Sequence, residues 1–162
     1  MSRRAVRLPL VFALASSLLT YSLFAQKPVK QPFPYAPLEF DAGVVCSFPV
    51  LIEGSGNQSV LSFPSGREMI VGAGSVRVTN TATGQSVVLA TTGRLSTTLL
   101  PGDDALLTGS GQSLFFLLPQ DVTGPALILT TGRIELLYDI AADTVTAVHA
   151  NGRTLDVCAA LE

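Results

Sequence analysis

The chain has 162 residues, 48% of them apolar and only 14% charged, which is enough for one domain with a real core and too little for two to be expected. The formal charge is −2, but Arg3, Arg4 and Arg7 all lie in the first 25 residues; beyond them seven basic side chains meet twelve acidic ones, a net charge of −5. A surface of that sign, with no run of Lys and Arg to reverse it locally, excludes nucleic acid as an expected partner.

Residues 1–25 read as a secretory signal. Met1 to Pro9 is short and basic, Leu10 to Phe24 is almost wholly apolar, and Ala25 is a small residue suited to a cleavage site. The apolar run is shorter than the ~20 residues a spanning helix needs, which favours cleavage over anchoring. Arg3-Arg4 is a partial match to a twin-arginine signal, but a plain basic head is the preferred explanation. No second apolar stretch of that length follows, so the mature chain is expected to carry no membrane span and to be secreted into the extracellular space.

Residues 26–38 contain Pro28, Pro32, Pro34 and Pro37. That density forbids a helix and argues against a regular ladder strand. The segment reads as an extended linker, with a proline-rich ligand for a partner as the sharper alternative.

Residues 39–162 read as a β domain. Short runs rich in Val, Ile, Leu, Thr and Phe, such as Glu68–Val71, Ser75–Thr79, Ser86–Thr91, Leu95–Leu100, Ala105–Thr108 and Ser113–Leu118, alternate with glycine-bearing segments. Thr92-Gly93, Gly109-Ser110-Gly111, Thr131-Gly132 and Asn151-Gly152 all read as tight turns. The resulting expectation is all-β: an antiparallel meander of roughly 8–11 short strands, barrel-like or sandwich. In Ile134–Ile140 the residues Ile134, Leu136, Tyr138 and Ile140 share one face, with Glu135 and Asp139 on the other. Ser113–Leu118 is apolar on both faces, as a central strand would be, or one covered by the linker or by a partner.

One echo stands out. Thr91-Thr92-Gly93-Arg94-Leu95 returns as Thr130-Thr131-Gly132-Arg133-Ile134, with looser copies at Ser65-Gly66-Arg67 and Asn151-Gly152-Arg153. Shared hairpin chemistry explains it simply; a ring of arginines around an anion is the alternative with functional content.

The two cysteines, Cys46 and Cys158, allow a single intramolecular pairing. In an exported chain they are expected to form a disulfide that brackets nearly the whole domain. There is no Cys-x-x-Cys redox motif, and two sulfurs with His149 fall short of the four ligands of structural zinc. Because the bridge makes the first and last structured segments neighbours, a closed or nearly closed barrel is somewhat favoured over an open sandwich.

Catalytic chemistry is sparse. His149, the one histidine, has no acid beside it, and no Gly-x-Ser-x-Gly elbow is present. Asp103-Asp104 offers calcium too few oxygens, and neither Glu39 with Asp41 nor Asp139 with Asp143 is marked by spacing as a glycosidase pair. Asn57-Gln58-Ser59 matches the glycosylation acceptor pattern.

Phe40-Asp41-Ala42-Gly43, Cys46-Ser47-Phe48-Pro49 and Asp156-Val157-Cys158-Ala159-Ala160-Leu161 resemble the ends of a group of small secreted actinobacterial proteins usually described as hypothetical. The resemblance spans the mature domain and implies export and a β-rich fold; it implies no activity and supplies no functional residues. The expected function is therefore a non-catalytic secreted binding or structural module, without catalytic, metal or cofactor residues. Its partner would be an extracellular protein, an envelope polymer or an apolar small molecule. The alternative is a secreted hydrolase with a site assembled from dispersed acids and His149.

Overall fold

Nine strands, all antiparallel, form one sheet in the computed structural model, which describes residues 27–102 and 104–162. The signal segment lies outside the described residues, as does Asp103. The strands are β1 (Val29–Pro32), β2 (Leu38–Phe40), β3 (Val50–Gly56), β4 (Ser59–Ser62), β5 (Glu68–Asn80), β6 (Ser86–Leu99), β7 (Asp104–Leu117), β8 (Ala126–Asp139) and β9 (Thr144–Asp156), followed by a 3-10 turn at Ala159–Leu161. No helix among the described residues is long and apolar enough to cross a membrane.

The strand count falls within the expected range, but β5 to β9 are 13 or 14 residues long rather than short. Pairs of apolar runs that read as separate strands are continuous. Four glycine segments that read as turns lie inside strands, and Gly72 joins them. In register, Gly72 faces Gly93, Gly93 faces Gly111, Gly111 faces Gly132, and Gly132 faces Gly152. All five have positive φ, between 95° and 147°. They form a seam across the sheet, perpendicular to the strands, at which each strand can bend without ending. The true turns are elsewhere, at Pro64–Gly66, Thr81–Gly84, Pro101-Gly102 and Ala141–Asp143.

Below the seam the sheet is continuous from β4 to β9. Above it, β6 and β7 part company, because their pairing begins at Thr92 with Gln112 and leaves Ser86–Thr91 and Ser113–Leu117 unpaired with each other. The upper half is thus a fork. One prong carries β2, β3 and the ends of β5 and β6; the other carries the ends of β7, β8 and β9.

The main core fills the space between the prongs. Val50, Ile52, Val78 and Leu89 from one prong pack with Leu127, Leu129 and Val157 from the other. A second cluster, Phe115 with Ile134 and Leu136, sits on the opposite face of the β7–β8 prong. Phe115 crosses the bend to reach Gly109, where an added Cβ would stand 2.8 Å from Ile134 Cγ2 and 3.3 Å from Phe115 Cζ. The β7–β8 prong is therefore covered on both faces, as the two-sided apolar run Ser113–Leu118 implied. Ile134 and Leu136 are buried as the alternation required, whereas Ile140 lies past the end of β8 and is exposed.

Cys46 and Cys158 are bonded, with Cα atoms 5.5 Å apart across a sequence separation of 112. The bridge does not close a barrel: the edge strands β1 and β2 on one side and β9 on the other are not paired. Cys46 lies in the loop before β3 and Cys158 beyond β9, so the bond pins one prong to the other through the core. Asn80 reinforces the same junction. Its Nδ2 donates to Leu161 O at 3.2 Å, while its Oδ1 accepts from Ala82 N at 3.0 Å.

The proline-rich segment read as a linker is extended but not free. Val29–Pro32 pairs with β4, with Val29 opposite Ser62 and Pro32 opposite Ser59. Proline is compatible with this position because β1 is an edge strand whose outer side needs no donor.

Asp121 is the most deeply buried carboxylate among the described residues, 9% exposed. Its Oδ2 accepts from Leu118 N at 2.6 Å and its Oδ1 from Val145 N at 2.7 Å, which ties the β7–β8 loop to β9. Asp121→Ala leaves two backbone donors without this acceptor, and each orphaned buried group costs about 1–3 kcal/mol. The expected result is a loss of roughly 2–4 kcal/mol in urea unfolding. Asp121→Asn, which keeps one acceptor oxygen, should lose clearly less.

Candidate functional site

The fork leaves an apolar cleft of about 300 Å³ where β6 and β7 separate. Its walls are Ile52 and Gly54 of β3, Ile70 and Val76 of β5, and Leu114 and Phe116 of β7. The segment Phe33–Ala36, with Leu38 at the start of β2, lies over it as a strap. This volume is at the lower end of the ~300–1,000 Å³ typical of small-molecule sites.

Tyr35 fastens the strap. Its hydroxyl donates to Gln58 Oε1 at 3.0 Å, and its ring meets Phe33 edge-on with centroids 5.0 Å apart. The ring rests on bare backbone: a Cβ on Gly54 would stand 2.6 Å from Tyr35 Cδ1, and one on Gly74 would stand 2.8 Å from its hydroxyl. Phe33 N also donates to Gln58 O at 3.0 Å. Phe40 packs on Phe116 of the wall, with ring centroids 5.2 Å apart.

Polar groups in the cleft are few. Gln112, Ser113 and Arg94 stand where the strands diverge. Thr91 is 7% exposed, and its Oγ1 is the one buried side-chain polar atom without a hydrogen-bond partner among the described residues. A Cβ on Gly74 would lie 3.2 Å from that oxygen. Buried hydroxyls ordinarily find a partner, so an orphan beside a cleft calls for an explanation.

The residues weighed for catalysis are placed apart from the cleft. His149 is exposed on β9, in register with Glu135 of β8. Glu135 Oε1 is engaged by Arg133 Nε at 3.1 Å, within an ion pair through Nη2. Asp139 and Asp143 serve the β8–β9 turn: Asp139 Oδ1 accepts from Ala142 N at 2.9 Å, and Asp143, at φ 54°, accepts from the Tyr138 hydroxyl. That hydrogen bond, with lesser contributions from desolvation and the neighbouring acids, holds the Tyr138 phenol above its ordinary value of 10.0. Asp104 opens β7 opposite Asp139. Glu39 sits on β2 opposite Leu51, with Asp41 just past the strand end. Among the described residues no three His, Cys, Asp or Glu side chains gather as a metal-binding group.

Sequence reasoning missed Tyr35, Gln58 and Thr91 as members of a site. Aromatic residues inside a proline-rich stretch, Phe33 and Tyr35, were the available signal, since a bare linker has no use for them. Comparison of the chain with known protein families, with curated proteins and with solved structures finds no match.

Proposed function

We propose that the domain is a non-catalytic binding module that works outside the cell and takes a small apolar molecule, with one hydrogen-bonding group, into the cleft beneath the strap. The Thr91 hydroxyl carries this reading: it is buried at the wall of a mainly apolar cleft and lacks a partner among the described residues. A ligand bearing one acceptor or donor would satisfy it, while the Ile52, Ile70, Val76 and Leu114 side chains take up the apolar body. Export is part of the proposal. It is supported by the signal-like residues 1–25 and the disulfide.

The neutral fluorophore N-phenyl-1-naphthylamine tests the cleft. Its emission should rise on adding the disulfide-bonded protein, and Val76→Phe, which fills the cleft from one wall, should abolish most of that rise. Equal enhancement by both proteins at equal thermal stability would reject the site. Thr91→Val supplies an independent measure. Removing an unpartnered buried hydroxyl should stabilise the ligand-free protein by about 1–2 kcal/mol, read as a higher urea midpoint at unchanged slope. Lower stability of Thr91→Val would mean that the hydroxyl is already satisfied.

A further inference from the structure

The arginine echo is not explained by the cleft, and the sheet gives it a geometric meaning. Strands β6 and β8 both run antiparallel to β7 and hence parallel to each other. Thr92-Gly93-Arg94 and Thr131-Gly132-Arg133 therefore stand at the same height on either side of Gln112-Gly111-Ser110, with Arg94 and Arg133 both in register with Ser110. Two strand spacings separate them, about 10 Å between backbones, which is a span that two guanidinium groups can close over one small ion.

The surroundings fit that role. Arg67, at the entrance to β5, joins Arg94 and Arg133 around a hollow of about 170 Å³ whose floor includes Ser96, Thr108 and Ser110. Three of the five arginines beyond residue 25 thus meet at one place on a domain with five more acids than bases. In such a domain an arginine's ordinary neighbour is a carboxylate, yet among the described residues only one is engaged here, Glu135 on Arg133. Glu68, next to Arg67 in sequence, accepts instead from Ser62 Oγ at 3.3 Å. Arg67 itself lies over the Phe63 ring, its Cζ 4.8 Å from the centroid, which sets its stem while leaving donors free. Among the described residues, three guanidinium groups with one compensating acid form a cationic hollow; the Thr108 and Ser110 hydroxyls on its floor add neutral donors, while Ser96 Oγ donates to Thr108 O at 3.4 Å.

We propose that this hollow on the outer face of the sheet binds a tetrahedral oxyanion, a phosphate or sulfate group. Guanidinium forks match the paired oxygens of such a group, and the serine and threonine hydroxyls complete its hydrogen bonding. The hollow shares Arg94 with the crotch of the cleft, whereas Arg67 and Arg133 belong to the hollow and not to the cleft wall.

The test is a titration of the disulfide-bonded protein, followed by amide NMR, with sodium phosphate, sodium sulfate and a linear polyphosphate, each against sodium chloride at matched ionic strength. Saturable shifts centred on Ser96, Thr108 and Ser110 are expected with the oxyanions and not with chloride. Arg67→Gln and Arg133→Gln should each weaken binding by about tenfold, the loss of one charge-assisted hydrogen bond, and leave the N-phenyl-1-naphthylamine signal unchanged. Tighter binding of polyphosphate per phosphate would assign the group to a polymer, and equal binding to a free ion; both support the site. Chloride shifts of the same size, or undiminished phosphate binding in both variants, would overturn it. Because the fluorophore reports the cleft alone, failure of either reading is visible apart from the other.

Discussion

Replacing Cys46 and Cys158 together with alanine should lower the unfolding free energy by roughly 3–5 kcal/mol, the largest loss expected from any covalent change to this domain. The bridge spans 112 positions, and in the chain-entropy view closing a loop of about 100 residues stabilises the folded state by about 4.7 kcal/mol. Position adds to length. Cys46 is 5% exposed within the main core, beside Val45, Val157 and Leu161, each 1% exposed or less. The bond joins two prongs that share no backbone hydrogen bonds between β6 and β7 beyond Thr92, so without it only side-chain packing and the Asn80 contact hold them. Chemical denaturation with and without a reductant, monitored by circular dichroism, measures the difference. An unfolding midpoint insensitive to the double substitution would show that core packing alone holds the fork together.

The second large effect concerns the seam. At Gly93 and Gly111, φ is 141° and 95°, values that side-chain-bearing residues rarely adopt. The two residues face each other in register, and a Cβ on either would run into a carbonyl oxygen of the opposite strand, Ser110 O for Gly93 and Thr92 O for Gly111. Neither obstacle is the mobile end of a side chain; both are backbone in a paired ladder. Gly93→Ala and Gly111→Ala are each expected to cost more than about 3 kcal/mol, combining a forbidden backbone conformation with a clash that can relax only by breaking ladder bonds. Gly84, with φ 79° in the exposed β5–β6 turn and nothing near its added Cβ, is the control. Its alanine variant carries the conformational penalty alone and should lose only about 1–2 kcal/mol. Equal losses at the three positions, in parallel urea titrations, would contradict the crowding argument.

The seam also explains how far the fold was legible from the sequence. The strand class, the antiparallel order and the disulfide follow from residue types and from there being just two cysteines. Turn chemistry misled at Gly93, Gly111, Gly132 and Gly152, because the same freedom of φ that makes a reverse turn also makes a bend inside a strand. Which one forms depends on whether a partner strand carries its own glycine at the same height, and that is a property of register, invisible along one stretch of chain. The open fork was hidden for a related reason. A disulfide between chain ends constrains distance but not pairing, so it fits a pin between two prongs as well as it fits a closed barrel. Of the cleft, the two-faced run Ser113–Leu118 was readable, and coverage by the proline-rich segment was one of its readings. Thr91 was not readable, since the burial of its hydroxyl depends on which strands the fold brings around it.

Because the β6–β7 and β8–β9 hairpins meet glycine to glycine, a slip of one residue along either would set a side chain against a carbonyl oxygen of the opposite strand. The polar outer face around Ser96, Thr108 and Ser110 offers little penalty of its own for such sliding. The bare row therefore acts as a ratchet tooth that admits one alignment and rejects its nearest competitors. It confers on this long-stranded sheet a uniqueness that its alternation of apolar and polar residues would not supply by itself.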